Sequence, residues 1–260
     1  MIDYHCHLLP DIDDGTQTLA ESLEMARILA AHGFRQVCCT PHCIRGAYDN
    51  TPTEVRRAVA ELQAAIDREA IPLRLLGGME YCLDEYFAAQ TEEILPLGNS
   101  RLVLVEAPWQ GRIEVVSEGI FRIVRQGMTP LLAHPERSPL LAPPETDGLV
   151  GKILARFSAQ NAKNKTQSAL DLFTGMGCLY QGNLGSFSGV YGRRVADRAR
   201  EMLGQGLYAC LGSDGHRPEA LRSCLAADSM AEPEITELLA RSEIGDSRCK
   251  MQEKVSDLEA

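Results

Sequence analysis

The amino-terminal stretch MIDYHCHLLPDIDDG, residues 1–15, joins a short apolar run to a dense group of histidines and aspartates. The run Ile2–Tyr4 is too short for a helix, so it predicts a buried strand. His5 and His7 follow at alternate positions, and alternate residues of a strand point to the same face. Three aspartates come next: Asp11, Asp13 and Asp14. The stretch therefore predicts a strand whose carboxyl end carries metal-type ligands.

The same kind of element recurs along the chain. Six more short apolar runs predict buried strands: Gln36–Thr40, Leu73–Met79, Leu102–Ala107, Pro130–Ala133, Cys178–Gly182 and Leu207–Gly212. Seven amphipathic stretches alternate with the strands and predict helices: Leu19–His32, Thr53–Ala70, Leu83–Ile94, Ile113–Gln126, Leu149–Thr174, Gly189–Gln205 and Pro218–Ala227. Thr18 and Glu21 have the spacing of a capping box before the first helix. Because strand and helix alternate seven times, the sequence predicts an α/β fold with a parallel sheet, open or closed.

Composition limits the class of protein. The chain has 260 residues, of which 36 are acidic and 26 basic, and its formal net charge is −10. Apolar residues make up 45%, which is enough for a core, and the length suits one α/β domain. We assign this domain to residues 1–230 and a charged tail to residues 231–260, and we assign no role to the polar segment 158–168. The acidic balance argues against a nucleic-acid partner.

The sorting signals and the cysteines point to the cytoplasm. The first residues lack a basic region followed by an apolar run, so we predict no signal peptide. No run of about 18 apolar residues occurs, so we predict no membrane span. The nine cysteines are odd in number and irregularly spaced, which is typical of reduced thiols in a cytoplasmic protein.

Histidines and acidic residues follow most of the predicted strands. They are His5, His7, Asp11, Asp13, Asp14, His42, Glu80, Glu106, His134, Glu136, Asp214 and His216, with Arg137 next to Glu136. The carboxyl ends of parallel strands meet at one face, so we expect these side chains to share a cleft. So many carboxylates cannot stay ionised together without cations, and imidazole mixed with carboxylate suits divalent transition metals. About nine ligands imply two or three ions, which lower the pKa of a bound water and clamp phosphoryl oxygens.

Two other features carry less weight. His32, before Gly33 at the end of a predicted helix, is expected to interact with the helix dipole. The sequence CTPHCIR, Cys39–Arg45, fits the C-x5-R signature of cysteine-dependent tyrosine phosphatases. Pro41 removes an N–H that a phosphate-binding loop would need, and no glycine supplies its tight geometry. The sequence therefore argues against a cysteine mechanism.

Five motifs together resemble the polymerase and histidinol phosphatase (PHP) superfamily: HCH at 5–7, TPH at 40–42, the isolated Glu80, HPER at 134–137 and SDGH at 213–216. Within that superfamily, the opening stretch is similar to the start of the bacterial capsule-biosynthesis tyrosine phosphatases. GNLGSFSGVYG, at 182–192, resembles their later glycine-rich segment. The resemblance covers about residues 1–228. Ser138 departs from the tyrosine that often follows HPER in the family, and the tail after Met230 does not match it.

The resemblance implies a distorted seven-stranded (β/α)7 barrel that holds two or three divalent metal ions. The ligands implied for two ions are His5, His7, Glu80, Glu106, His134 and Asp214. Those implied for the third are Asp14, His42 and His216, with Glu80 as a bridge. Arg137 matches a family arginine expected to hold phosphate. Manganese is our first choice of metal, and iron, zinc and magnesium stay open because all accept nitrogen and oxygen ligands.

The resulting hypothesis is a metal-dependent protein-tyrosine phosphatase in which a metal-activated hydroxide attacks phosphorus and Asp214 or His216 relays a proton. By the resemblance, its substrate is a bacterial tyrosine kinase that regulates capsular or extracellular polysaccharide synthesis. One alternative is a small-molecule phosphatase such as histidinol-phosphate phosphatase. Another is a nuclease or polymerase-associated editing domain, which the acidic chain opposes. A third is a non-catalytic, metal-bound scaffold of a polysaccharide export complex. A homo-oligomer also stays open.

Overall fold

A computed structural model describes residues 1–90, 93–141 and 169–240 of the chain. Most of the predicted helix Leu149–Thr174, the polar segment 158–168 and the tail beyond residue 240 lie outside these ranges. Within them, strands alternate with helices, and each pairing between strands is parallel. The predicted α/β class with parallel sheets is therefore confirmed.

The described strands form two sheets. In chain order they are β1 (Ile2–Cys6), β2 (Gln36–Cys39), β3 (His42–Cys43), β4 (Arg74–Gly77), β5 (Glu80–Cys82), β6 (Leu102–Glu106), β7 (Thr129–Ala133), β8 (Leu179–Asn183) and β9 (Tyr208–Gly212). The first sheet has the order β1-β2-β4, and the second has the order β3-β5-β6-β7-β8-β9. Each of the seven predicted strand segments contains a strand. The single closed barrel of seven strands stays a prediction, because the described strands are divided between two sheets.

Two predicted strands are each followed, after a short break, by a further strand that the sequence analysis did not predict, and these breaks join the two sheets. The chain leaves β2, passes Thr40 and Pro41, and enters β3 in the second sheet, while β4 and β5 are separated in the same way. Pro41 has no N–H for the ladder, but its carbonyl accepts the N–H of Glu80 at 3.0 Å. After the breaks, His42 and Glu80 are Cα partners in the second sheet. Two predicted ligands thus come to lie side by side.

The first and last strands also lie next to each other, although they belong to different sheets. The N–H of Asp214 donates to the carbonyl of His5 at 2.7 Å, and the N–H of His7 donates to the carbonyl of Gly215 at 3.0 Å. Gly212 approaches β1 so closely that a Cβ atom on it would lie 2.5 Å from Cβ of His5. These contacts join the edge strand of one sheet to the edge strand of the other.

The helices occupy the connections between strands. They are α1 (Leu19–Ala31), α2 (Pro52–Arg68), α3 (Phe87–Gln90), α4 (Ile113–Arg125), α5 (described over 169–175), α6 (Leu184–Phe187), α7 (Arg193–Gly204), α8 (Pro218–Leu225) and α9 (Pro233–Ala240), with a 3₁₀-helix at Asp228–Ala231. A complete capping box starts α2, where Thr51 and Glu54 accept from each other's backbone N–H. The box predicted for α1 is only half formed, because the Glu21 carboxylate accepts from the N–H of Gln17 instead of Thr18.

Two helix predictions need correction. The predicted helix Leu83–Ile94 begins only at α3, because the N–H of Leu83 donates to the carbonyl of Glu106 at 2.9 Å and so continues the sheet contact of β5. The predicted helix Gly189–Gln205 begins only at α7. Gly189 and Gly192 have φ angles of 80° and 87°, in the left-handed region that a right-handed helix excludes. The local turn therefore overrides the amphipathic pattern at this point.

The region after residue 230 contains a packed helix. In α9, Ile235 and Leu239 are buried and belong to the main hydrophobic core. The predicted charged tail, 231–260, therefore begins with a helix that contacts the core, and the predicted domain limit at 230 stays a prediction. Across the three described ranges, no helix combines the length and the apolar character needed to cross a bilayer.

We expect Gly212→Ala to destabilise the protein, because its new methyl group would overlap His5 where β9 meets β1. Overpacking of this kind costs about 1 to 3 kcal/mol in the free energy of unfolding. Gly204→Ala is the matched control: it lies at the end of α7, and a Cβ there has no atom within 4 Å. Urea unfolding followed by circular dichroism measures both variants. Equal stability of the two variants would contradict the close contact.

Candidate metal centre

The carboxyl ends of the strands bring all nine predicted ligand residues into one neighbourhood. His5 ends β1 and His7 follows it, His42 begins β3, Glu80 begins β5, and Glu106 ends β6. His134 follows β7 directly, and Asp214 and His216 follow β9. Asp14 comes from the loop after β1. Because these strands are parallel and neighbouring, their side chains converge at one face, as the sequence predicts.

Four fully or nearly fully buried side chains form the inner part of the centre. Nε2 of His5 lies 3.1 Å from Nε2 of His7. Oε2 of Glu80 lies 3.2 Å from the first of these nitrogens and 3.4 Å from the second. Oδ1 of Asp214 lies 3.3 Å from both. Ligands about 2.1 Å from one ion are separated by about 3.0 to 3.4 Å, so these spacings match the edges of a coordination shell.

Glu80 also contacts two more histidines. Its Oε2 lies 3.1 Å from Nδ1 of His42, and its Oε1 lies 3.0 Å from Nε2 of His134. His42 Nδ1 is in turn 3.5 Å from Oε1 of Glu106. Although Glu80 Oε2 and His42 Nδ1 are close, both are buried without a hydrogen-bond partner among the described residues. Buried polar atoms are almost always satisfied, so two unpaired lone-pair atoms that face each other fit a divalent ion between them.

The outer part of the centre is formed by Asp14 and His216. Oδ1 of Asp14 lies 3.5 Å from Nε2 of His42 and 3.4 Å from Nε2 of His216. The His216 ring stacks on His7 with 3.9 Å between centroids. The Asp14 side chain is 51% exposed, so this part of the centre is open to solvent.

Ligand-type atoms within 4.8 Å of one another define three groups: His7, Asp14, His42 and His216; His5, His7 and Glu80; and His42, Glu80 and Glu106. His7, His42 and Glu80 each belong to two groups. The division differs from the one implied by the family resemblance, since His7 joins the outer group and His42 joins Glu106. Asp214 and His134 lie at the edge of these groups through their contacts to His5, His7 and Glu80.

Hydrogen bonds from the far ring nitrogens orient three of the histidines. Nδ1–H of His5 donates to Oε1 of Gln181 at 2.9 Å, and Nδ1–H of His7 donates to Oδ2 of Asp13 at 2.7 Å. Nδ1–H of His216 donates to the carbonyl of Asp214 at 2.9 Å. Each bond fixes the tautomer that leaves Nε2 as a lone-pair donor towards the centre, which is the usual arrangement of metal-binding histidines.

Sequence reasoning did not assign these orienting roles. Gln181 lies in β8, and nothing in its spacing marks it as a partner of His5. Asp13 follows the histidine pair and was noted as an acidic residue, but not as the partner of His7. It also accepts from the N–H groups of His42 and Gly15, at 3.0 and 2.8 Å.

Without a metal ion, protons on side chains of the centre offset the negative charge of its carboxylates. Burial disfavours the charged forms of His5 and His7, but the neighbouring carboxylates outweigh it and raise the pKa of both. Burial likewise opposes protonation of His42, yet the charge of Glu80 raises its pKa to about 9. Burial and the nearby charge of Glu80 raise the pKa of Glu106 to about 7. The centre therefore gathers protons that a divalent ion would have to displace.

Asp214 connects the centre to Arg137. Its Oδ1 faces His5 and His7, while its Oδ2 accepts from Nη1 of Arg137 and, at 2.9 Å, from Nδ2 of Asn183. Burial alone would raise the pKa of Asp214, but the charge of His5 and the contact with His7 hold it well below its usual range. The guanidinium of Arg137 also lies 4.0 Å from the centroid of the Tyr191 ring. Arg137 is thus held at the rim of the centre from two sides.

Two residues of the centre have unusual backbone angles. His134 and Asp214 have φ values of 33° and 51°, in the left-handed region that side chains with a Cβ rarely adopt. His134 follows β7 directly and Asp214 lies two residues beyond β9, and such conformations persist where surrounding contacts over-determine them. Here the contacts are the backbone bond from His134 to Gln181 at 2.9 Å and that from Asp214 to His5.

The cysteine signature does not form a second centre. Cys39 is fully buried in β2, and burial raises the pKa of its thiol far above the usual value, which disfavours a thiolate. Arg45 is turned to the ring of Tyr86, 5.3 Å from its centroid. His32 caps α1 and donates from Nδ1 to the carbonyl of Ile28 at 2.9 Å, as expected for a helix-end residue.

Comparison with known proteins places this centre in a family. Residues 1–144, more than half of the chain, match the family described as "Capsular polysaccharide synthesis, CpsB/CapC". The chain belongs to the CpsB/CapC family. The matched residues include seven of the nine members of the centre from β1 to His134, and the remaining two lie further along the chain.

Relatives within the CpsB/CapC family cover most of the chain. It is 29% identical over 219 residues to the tyrosine-protein phosphatase YwqE of Bacillus subtilis (strain 168), a match that spans 83% of this chain and 77% of the relative. It is 26% identical over 223 residues to the tyrosine-protein phosphatase CpsB of Streptococcus pneumoniae, with 83% of each chain covered. A crystal structure from work on YwqE and CpsB, described as metal-dependent tyrosine phosphatases, superposes with a TM-score of 0.73 at 27% identity, covering 94% of this chain and 96% of that one.

We expect divalent metal binding to release protons at pH 7. Because the pKa of His42 is about 9 and that of Glu106 about 7 in the metal-free protein, both carry protons that an ion must displace, and the affinity for Mn²⁺ should rise as pH increases from 6 towards 9. Isothermal titration in buffers of different ionisation enthalpy counts the protons. His42→Gln should lower the count, whereas the control His32→Gln should leave it unchanged. Binding without proton release would contradict this charge balance.

Proposed function

We propose that this chain is a metal-dependent phosphatase that hydrolyses phosphotyrosine in proteins. The observation that carries the proposal is the cluster of buried imidazole and carboxylate groups with Arg137 at its rim. The imidazole and carboxylate groups suit divalent cations, and the guanidinium of Arg137 suits a phosphate dianion. The phosphatase relatives of the CpsB/CapC family support the same reaction.

The residues present fit two or three divalent ions. His5, His7, Glu80 and Asp214 would hold one ion, with Glu80 shared with a second that Glu106 and His134 complete. Asp14, His42 and His216 would hold the ion nearest to solvent, because the Nδ1–H of His7 is engaged with Asp13 and leaves only its Nε2 for the first ion. Ions bound there would supply Lewis acidity towards phosphoryl oxygens and a water of lowered pKa. Manganese is our first choice for the metal, and iron, zinc and magnesium stay open, because all accept this mixture of nitrogen and oxygen donors.

Arg137 would bind the substrate phosphate. Its guanidinium always carries a positive charge and presents several N–H donors, so it suits the non-bridging oxygens of a phosphate group. Asp214 and Tyr191 hold it at the rim, and its side chain is 25% exposed, which leaves donors available to a ligand. Charge that develops on these oxygens during the reaction would be stabilised by groups already in place.

Between the two candidates for proton transfer to the leaving oxygen, the geometry favours His216. Both carboxylate oxygens of Asp214 have partners, and its pKa is held well below the usual range, so it carries no proton to give. His216 is 28% exposed and lies on the solvent side of the centre, where a leaving group would depart. Its Nδ1–H is engaged with the Asp214 carbonyl, so Nε2 is the nitrogen left for the transfer, and it would act only while it does not ligate the ion nearest to solvent.

Several wider assignments belong to the same proposal. The substrate would be a bacterial tyrosine kinase that regulates capsular or extracellular polysaccharide synthesis, in line with the description of the family. The reaction would take place in the cytoplasm. Residues 1–230 would form one catalytic domain in which the two sheets act as a distorted seven-stranded barrel, joined through the contacts between β1 and β9.

We expect the protein loaded with Mn²⁺ to hydrolyse a phosphotyrosyl peptide faster than histidinol phosphate. Asp214→Asn, which keeps the size of the side chain, should lower kcat/KM by at least about 100-fold, because it removes a ligand charge and the ion pair with Arg137. Cys39→Ala should retain activity, since the buried thiol has no role in the proposed chemistry. Release of inorganic phosphate measures all three proteins. An inactive Cys39→Ala enzyme that still binds Mn²⁺ would contradict the proposal, and so would an Mn²⁺-loaded wild type that leaves the peptide intact.

We also expect Tyr191 to act through Arg137. Tyr191→Leu removes the ring that the guanidinium contacts and should raise KM by about threefold to tenfold, which corresponds to the usual strength of a cation–π contact. Tyr191→Phe keeps the ring and should restore KM. In an Arg137→Met background, the change at position 191 should have no further effect on KM. Additive effects of the two changes would show that Tyr191 works independently of Arg137.

A further inference from the structure

A groove beside the candidate centre has no part in the chemistry proposed above. It has a volume of about 670 Å³ and lies between one face of α2 and the loop at residues 10–12, with Leu19 of α1 on the loop side. Residues 47–50 also line it. The volume is within the range of about 300 to 1,000 Å³ that ligand-binding cavities have.

The groove adjoins the centre at Tyr48. Tyr48 lines the groove, and its ring stacks on His42 with 5.7 Å between centroids and 18° between planes. Nδ2 of Asn50 donates to the carbonyls of both Ile12 and His42, each at 2.9 Å, and so ties the loop wall of the groove to β3. A polypeptide whose phosphorylated side chain occupies the centre can therefore continue into the groove past Tyr48.

The length of the groove suits an extended peptide. Its α2 wall runs from Glu54 to Arg68, and the lining residues recur with helical spacing along one face. At about 1.5 Å per residue this wall is about 21 Å long, which equals about six residues of extended chain. Apolar side chains line the interior, including Leu62 and Leu19, and Leu19 is 46% exposed although it is apolar.

Charge is unevenly distributed along the groove. The end next to the centre carries the carboxylates of Asp11, Asp49 and Glu54. In the middle, Arg57 lies 3.9 Å from Glu61, so those two charges offset each other. Arg68 lines the groove at the far end of α2. The part of a bound peptide nearest to the centre would therefore meet net negative charge.

A second cavity, of about 560 Å³, provides a contrast. It is lined by Arg35, which precedes β2, and by Arg74, the first residue of β4, so it lies at the amino ends of these strands. The candidate centre lies at the carboxyl ends. A peptide held in the second cavity could not reach the centre. Of these two cavities, the groove along α2 is the one that adjoins the centre.

We propose that the groove along α2 binds the polypeptide segment that flanks the substrate phosphotyrosine, and that it selects segments with a lysine or arginine within about three residues of it. This proposal rests on the proposed function. The apolar interior would take aliphatic side chains of the same segment, and the carboxylates at the near end would pair with the basic residue. The groove would act on substrate binding rather than on the chemical step, so its effect should lie in KM and not in kcat.

The test compares two phosphotyrosyl peptides of about ten residues. They differ only at the residue two before and the residue two after the phosphotyrosine. One peptide has lysine at both places, and the other has glutamate at both. With wild-type enzyme, kcat/KM for the lysine peptide should be about threefold to tenfold higher, as expected for a few exposed ion pairs. Raising the ionic strength should reduce the ratio of the two values. Equal values, or a higher value for the glutamate peptide, would overturn the proposal.

Two variants test whether the preference for the lysine peptide arises in the groove. The double substitution Asp11→Asn with Asp49→Asn keeps side-chain size and should bring the ratio to within about twofold of one. Glu114→Gln with Glu118→Gln is the matched control: it removes two exposed carboxylates on α4, away from the groove, and should leave the ratio unchanged. A ratio that responds equally to both changes would place the selectivity in the overall charge of the protein and overturn the proposal.

The experiments distinguish an error in the groove proposal from an error in the proposed function. If free phosphotyrosine and both peptides resist hydrolysis, the proposed function is wrong. Binding of the two labelled phosphopeptides to the wild type, measured by fluorescence anisotropy, tests the groove without turnover, and tighter binding of the lysine peptide would support it. If free phosphotyrosine is hydrolysed as efficiently as either peptide, the function stands and the groove proposal is overturned.

Discussion

Glu80 and Asp214 carry their carboxylates into the interior, where each lies 3.2–3.4 Å from Nε2 of both His5 and His7. Burial of an ionised carboxylate costs several kcal/mol even after the surroundings relax, so this arrangement requires compensating positive charge. Protons on the histidines supply part of it in the metal-free protein, and Arg137 supplies more through Oδ2 of Asp214. Divalent ions would supply it with better geometry, because a lone pair from each ring and each carboxylate already faces a common point.

Much of the surrounding structure serves to hold this arrangement. Gln181 and Asp13 fix the two ring tautomers, and Asn183 holds the second oxygen of Asp214. The breaks between β2 and β3 and between β4 and β5 place His42 opposite Glu80. The left-handed backbone at His134 and Asp214 follows the same requirement, since each residue must leave its strand and turn its side chain inward at once. Departures from regular geometry in this chain are thus concentrated where the charges are buried.

The sequence allowed the convergence of these side chains to be predicted because their position depends on a simple rule. His5, Glu106 and His134 stand where apolar runs end, and the carboxyl ends of neighbouring parallel strands must meet. The partners of the ligands could not be predicted in the same way. Gln181 contacts His5 from 176 positions away in the chain, and the contact between Tyr191 and Arg137 depends on the path of a loop. No local pattern encodes such contacts.

The errors in predicted elements have a similar origin. The stretch from Leu83 has a good amphipathic pattern, but one hydrogen bond to the carbonyl of Glu106 keeps its start in the sheet. Helical propensity is a weak preference, and tertiary contacts override it. The break at Pro41 could be foreseen from its missing N–H, whereas the transfer of the chain from one sheet to the other could not. Local rules fixed which segments are strands, and long-range contacts decided where each strand ends.

The inner ligands come from the two ends of the folded region: His5 and His7 lie in the first strand and its exit, and Asp214 follows the last strand. During synthesis the histidines are made about two hundred residues before their carboxylate partner. At about 5 to 20 residues per second, the ribosome takes about 10 to 40 s to cover that distance. A site that needs all of these side chains would therefore be completed only after Asp214 has been made and the strand before it has joined the first.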